Sequence, residues 1–424
     1  MNPKTYTYKE VQMKKLLTCL CALLVSAAGV AQAPAERPGL KFSGFFQYRT
    51  EYTKNPRVIA SDAGYTQTSD LGPANADAKN ESLPMLWLDV DNEFDGRTRF
   101  HGVVFAEHLS GRTAVTEIQL REGFVAAKFE DWELGVGRFI VCDGFGTVNG
   151  GPYMDGGHVA YASERVKANA YVVKFGNPGQ RDDYYVADKS TYTFTLGDIK
   201  VTPCKGLTLS GSWLYDIVTK DPAPNQIGGK LYQSVAVGAE YQYVRNEIPW
   251  FAIQGEYGVN SAAMAKKFNG TTTPFAASSE TCVEGAKPKA YFILAKFLGA
   301  NPFKPLTGGL RVEYKYADAG FDLMYMSHPD TWNAPFNWTS PATGGIANNV
   351  KGVEVGGELT LFPRLVFKAN YGFMKLANTT SSLDLGSPAL ATVSKVTSSG
   401  VTTITGAQNK ANQDYFTAAL FYIF

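Results

Sequence analysis

Few residues of the chain have the spacing that chemistry needs. The four histidines, His101, His108, His158 and His328, are scattered, and none belongs to an H-E-x-x-H pair that sets two imidazoles on one helix face around zinc. Asp91 to Gly96 opens like a calcium loop, but Glu93 stands where an Asp or Asn ligand belongs and Gly102 holds the twelfth position, where the loop needs a bidentate Glu. Gly144-Phe145-Gly146 lacks the third glycine of a dinucleotide fingerprint. The chain has no G-x-S-x-G elbow and no Walker loop. Cys142, Cys204 and Cys282 are isolated, so at most one disulfide can form among them, and they lack zinc spacing. The expectation is a protein that is not an enzyme and needs neither metal nor cofactor. What remains is charge placed at alternate positions, as in Asp89, Asp91 and Glu93.

Composition narrows the elements that can carry such charge. The chain has 424 residues, 40 Lys+Arg against 39 Asp+Glu, 42 Gly, and 45% hydrophobic and 13% aromatic residues. A net charge of +1 gives no electrostatic case for nucleic acid. The apolar content is enough for a large core, yet the one continuous apolar run, residues 16–31, follows Lys14 and Lys15 and ends in small residues. That is the layout of a secretory signal peptide rather than a membrane helix. Cleavage is expected after Ala31, in preference to a cut after Ala33 that puts Pro34 next to the scissile bond. Met13 opens the better leader, so residues 1–12 read as an upstream start extension, 13–31 as the signal peptide and 32–424 as the mature domain. Cys19 and Cys21 are not preceded by the small residue that a lipid-anchor site needs.

From residue 39 onward the pattern is alternation. Leu40, Phe42, Phe46, Tyr48 and Tyr52 are apolar, while Lys41, Ser43, Gln47, Arg49 and Glu51 between them are polar, as a strand wetted on one side requires. The same period recurs at 86–95, 208–217, 234–243, 310–316, 353–361 and 365–373, with weaker segments between. With the final segment, 412–424, about sixteen strands of roughly ten to thirteen residues are expected. Long links (54–84, 140–156, 219–230, 261–286, 318–349, 377–411) alternate with tight turns such as Glu130-Asp131 and Phe362-Pro363. One end with large loops and the other with short turns is the layout of a transmembrane antiparallel β-barrel. Hydrocarbon penalises an open sheet edge by several kcal/mol per unpaired group, so the first and last strands must meet. About sixteen strands enclose an aqueous channel, whereas eight are filled by their own side chains. The polar parity then faces the lumen and the apolar parity faces lipid. Trp132, Trp250, Tyr243 and Phe362 beside short turns, and Tyr52, Trp213, Tyr215, Tyr257, Tyr316 and Phe373 toward the loops, form two interfacial girdles.

The chain stops at Phe424, preceded at alternate positions by Tyr422, Leu420, Ala418 and Phe416. This ending resembles the C-terminal signature of Gram-negative outer-membrane proteins, in which Phe416, Tyr422 and Phe424 would be the signal read by the barrel-assembly machinery. The whole mature segment is similar to general diffusion porins of the sixteen-stranded type. Leu134-Gly135-Val136-Gly137-Arg138-Phe139, followed by Gly144-Phe145-Gly146, resembles the entry to the third loop in phosphate-selective porins. The basic lumen of that branch is not matched, so its selectivity does not carry over.

The resemblance implies an outer-membrane channel with long extracellular loops and short periplasmic turns, passing small polar solutes by passive diffusion. Membrane lipid and lipopolysaccharide would surround it, and it would form a homotrimer. The third loop, 140–156, would narrow the pore through Asp143 and Asp155, opposite wall residues Arg49, Arg99, Arg121, Arg138 and Asp89. Lumen-parity acids (Asp89, Asp91, Glu93, Asp216, Glu240, Glu256, Glu354, Glu358) outnumber bases (Lys41, Arg49, Arg311, Lys315, Lys368), which points to a slight cation preference. The alternative is an adhesin or surface antigen whose loops at 54–84, 318–349 and 377–411 bind a partner while the barrel serves as an anchor.

Overall fold

A computed structural model describes residues 39–54, 78–94, 97–109, 115–139, 141, 144–147, 154–175, 193–218, 230–245, 248–263, 265–266, 285–318, 320–322, 350–377, 393–398, 401–406 and 412–424. The signal-peptide segment lies outside them. The strands in chain order are β1 (Lys41–Lys54), β2 (Ala78–Glu93), β3 (Thr98–Leu109), β4 (Val115–Phe129), β5 (Trp132–Phe139) and β6 (Met154–Ala162). There follow β7 (Val166–Phe175), β8 (Thr193–Cys204), β9 (Leu207–Val218), β10 (Gln233–Arg245), β11 (Ile248–Asn260) and β12 (Lys289–Leu298). The last are β13 (Gly308–Ala317), β14 (Val350–Phe362), β15 (Leu365–Leu376), β16 (Val393–Ser398), β17 (Val401–Gly406) and β18 (Asn412–Ile423).

Sixteen of them, β1 to β15 and β18, form one closed antiparallel barrel in which every strand pairs with its neighbours in sequence. β16 and β17 form a separate two-stranded hairpin within the β15–β18 link, where the sequence predicts a loop. Closure is made by the first and last strands, with Phe45 opposite Ile423 and Tyr52 opposite Phe416. The Phe424 amide donates to the Gly44 carbonyl at 3.0 Å, so no edge is left at the C-terminus of the seam. The outer face carries exposed apolar side chains all the way round, among them Phe46, Leu134, Val136, Val237, Ile293, Leu310 and Phe373. A soluble sheet would cover such a belt; one that faces hydrocarbon need not.

Alternation sets the inner face, but that face is not uniformly polar. Midway along the strands it is Gln47, Arg49, Asp198, Ser212, Gln254, Glu256, Arg311, Glu313, Glu354 and Asn370, all buried. Toward the loop end it becomes apolar: Phe139, Met154, Phe194, Leu196, Leu214, Met374 and Tyr415 pack in one cluster with Val141, Leu231, Tyr232 and Phe321 from the links. Links that fold inward need apolar partners, which the upper wall supplies. Polar staples fix them in place. The Asp216 carboxylate accepts the Leu231 and Tyr232 amides, the Asn260 amide nitrogen donates to the Leu231 and Phe321 carbonyls, and the Tyr232 hydroxyl donates to Asp322 at 2.5 Å.

Candidate pore constriction

The β5–β6 link does not stay at the mouth. Its residues 144–147 lie inside the barrel, past β7, against the wall of β8 to β12. The Gly144 amide donates to Asp198 Oδ2 at 3.1 Å, and the Phe145 and Thr147 amides donate to the two oxygens of Glu256 at 3.0 and 2.5 Å. Gly144 has φ +65°, and a Cβ there would stand 2.9 Å from both Glu256 and Ser212, so glycine meets a steric and a conformational demand together. The Phe145 ring packs with Phe292 and Leu294. It also rests on Gly238, where a Cβ would come within 2.5 Å of the ring.

The two carboxylates that hold this segment are themselves held. Asp198 accepts from the Asn169 side chain at 3.0 Å and lies 3.3 Å from Lys200, whose ammonium is 5.8 Å from the Phe145 ring centroid. Buried carboxylates that accept backbone N–H groups satisfy donors the loop would otherwise leave orphaned. The segment is thereby fixed in a shape that cuts into the lumen.

Round the ring, β9 lies half-way from β1, and β11 half-way from β3. Arg49 on β1 therefore faces the wall that carries the segment, whereas Arg99, the second residue of β3, stands at the short-turn end. Arg49 is fully buried on the inward parity. Arg99 makes a two-pronged bond to Glu133 at 2.8 and 3.0 Å. Arg121 is the extra residue of a bulge opposite Val103/Val104, which turns it inward, its guanidinium 3.3 Å from the Phe105 ring centroid and 5.9 Å from that of Trp87. Asp89 also faces inward and accepts the Trp87 indole N–H at 2.8 Å.

Arg138 and Asp155 are placed differently from the sequence reading. They are direct partners across β5–β6, joined at 2.7 and 3.0 Å. They share the parity of the exposed Leu134 and Val136, whereas the neighbouring pair Phe139 and Met154 faces inward. Strand pairing extends to residue 154, so Asp155 is a strand residue on the outer face rather than a loop residue in the lumen. Asp143 lies outside the described residues. Asp198 was missed because the alternation in 190–201 is weak; Glu256 and Asp216 were already legible as lumen-parity acids.

On β13–β15 a second set of charges packs strand to strand. Glu313 and Glu354 are direct cross-strand partners, with Arg311 and Lys315 one step to either side. Arg311 bonds Glu354 directly and lies 3.3 Å from Glu313, while Lys315 lies 3.6 and 3.5 Å from the two acids. Lys368 pairs with Glu358 at 3.7 Å.

No family model matches this chain, and no curated protein matches it. Among solved structures it is similar to Pseudomonas putida OprB, with a TM-score of 0.51 at 11% identity over 91% of this chain and 94% of that one. It also resembles a Rhodopseudomonas blastica porin triple mutant, with a TM-score of 0.47 at 9% identity over 91% of this chain and 100% of that one. The likeness to OprB establishes a shared barrel fold.

Proposed function

We propose that the protein is a porin of the outer membrane, a water-filled channel through which small hydrophilic solutes and ions diffuse passively. The observation that carries this is the 144–147 segment, pinned inside a closed sixteen-strand barrel by Asp198 and Glu256. A barrel serving only as an anchor has no use for an inward loop tied to a charged wall. The comparisons lend no support to the adhesin reading. The exposed apolar belt supports insertion in a bilayer, and the resemblance in sequence supports a homotrimer.

Arg49 and Arg121 on one side, with Asp198 and Glu256 on the other, supply the two poles of a transverse field that orders water and favours small polar solutes. Asp143, which precedes Gly144 in sequence, is the remaining acidic candidate. Planar-bilayer recording tests the reading: discrete open steps that scale with salt are expected, with a reversal potential that favours cations slightly. Asp143→Asn moves that potential toward anions, whereas Asp155→Asn, on the outer face, leaves it in place. A folded protein without conductance overturns the proposal.

A further inference from the structure

Nine residues, 299–307, join β12 to β13 at the short-turn end, where the other six turns have two to four. The added length runs over the inner wall. Gly309, the cross-strand partner of Leu298, shares the inward parity of Arg311 and Glu313, and a Cβ there would stand 2.9 Å from the Gly299 backbone. The chain therefore turns inward as it leaves β12, through the space that a side chain at 309 would fill. The Ala300 amide donates to Glu358 Oε1 at 2.8 Å, and the Thr360 hydroxyl, on the inner face of β14, donates to the Asn301 carbonyl at 2.9 Å. Ala300 packs against Val366, Ala419 and Phe421, inner-face residues of β15 and β18.

From β13 to β18 is three strand spacings, about 14 Å, so the link cuts across part of the opening instead of capping two strands. It is also rigid by construction. The Asn301 amide donates to the Thr307 hydroxyl at 2.8 Å, that hydroxyl donates to the Lys304 carbonyl at 2.7 Å, and the Phe303 amide donates to Asn301 Oδ1 at 2.9 Å. The Arg364 amide, in the next turn, donates to the Pro302 carbonyl at 2.5 Å. Leu298 and Leu306, near its two ends, take φ of +58° and +60°, a left-handed conformation that costs a residue with a Cβ and persists where the surroundings impose it. Two residues suffice to join strands elsewhere at this end, so connection alone does not account for an inward, strained and pinned link.

We propose that the 299–307 link forms a second constriction of the channel, at the short-turn end and in series with the 144–147 segment, and that Glu358 positions it. This rests on the reading of the protein as a porin, and it gives that pore a second narrow point built from different residues. The 144–147 segment lies on the wall of β8 to β12 and the link on that of β14 to β18, so the open path shifts across the lumen between them. The test is single-channel recording on the full chain, with resistance to SDS as the check on folding. Replacing residues 299–308 by Asn-Gly, a tight hairpin turn, is expected to enlarge the open step in a barrel that still withstands SDS. Glu358→Ala, which removes the acceptor of the Ala300 amide, enlarges it less and adds noise, whereas Glu358→Gln keeps an acceptor oxygen and keeps the original step. Resistances in series add, so Glu358→Ala with Glu256→Ala lowers the resistance by the sum of the two single losses. A folded turn replacement with an unchanged step overturns the second constriction, and so does an unchanged step in Glu358→Ala should the replacement not fold. Equal enlargement in Glu358→Gln and Glu358→Ala overturns the role of Glu358. Unsubstituted protein that folds and does not conduct counts against the porin reading itself, and the second constriction falls with it.

Discussion

The two charged regions of the inner wall use the same residue types for different ends. On β8–β11, Asp198 and Glu256 direct their oxygens at backbone N–H groups of the 144–147 segment. On β13–β14, Glu313 and Glu354 direct theirs at Arg311 and Lys315 on the strands themselves. The first arrangement ties wall to loop and sets the shape of the lumen. The second ties strand to strand and holds two opposed acids in the barrel. Disturbing the first should therefore change conductance more than stability, and disturbing the second should do the reverse.

The largest effect is expected from Arg311→Ala, which removes the guanidinium from beside the buried and directly opposed Glu313 and Glu354. Breaking a buried charge network costs about 3–5 kcal/mol. The folded band in SDS gels should disappear at a lower temperature, while any channels that do form keep their conductance. An unchanged transition would mean the quartet contributes little.

Glu256→Ala comes next in its effect on the barrel, since it removes the acceptor of two backbone amides of the loop, a loss that falls on the 144–147 segment rather than on strand pairing. Single-channel recordings should show larger and noisier steps in a barrel that still withstands SDS. Steps of unaltered size would separate the segment from the constriction.

Gly144→Ala introduces a Cβ at φ +65° against Glu256 and Ser212, a cost of about 1–2 kcal/mol that falls on the loop alone. Its conductance change should have the same sign as that of Glu256→Ala and be smaller. The least effect belongs to Lys368→Gln, whose partly exposed pair with Glu358 contributes up to about 1 kcal/mol. Gel mobility should not register it, and the reversal potential should shift slightly toward cations.

Much of this contrast is present in the chain as periodicity. Strand parity assigns Arg49, Glu256, Arg311 and Glu354 to the lumen from sequence alone, because a period of two leaves each side chain one choice of face. It fails where pairing departs from a simple count. β6 begins early enough to carry Asp155 to the outer face with Arg138. Nor does parity reveal what an inward acid will bond. Glu256 and Glu354 look alike in sequence, yet one accepts loop amides and the other a guanidinium, a choice made by residues far away in the chain. The apolar cluster under the mouth was illegible for the same reason, because Phe139, Phe194 and Leu214 acquire their partners only when the links fold in.

The central claim is a lumen open to solutes and narrowed by a pinned loop, and liposome swelling measures that most directly. With neutral sugars of increasing mass, vesicles containing the protein should swell at rates that fall steeply with solute size, and Glu256→Ala should move that fall to larger solutes. Vesicles carrying folded protein that swell no faster than empty ones, whatever the sugar, would contradict the account.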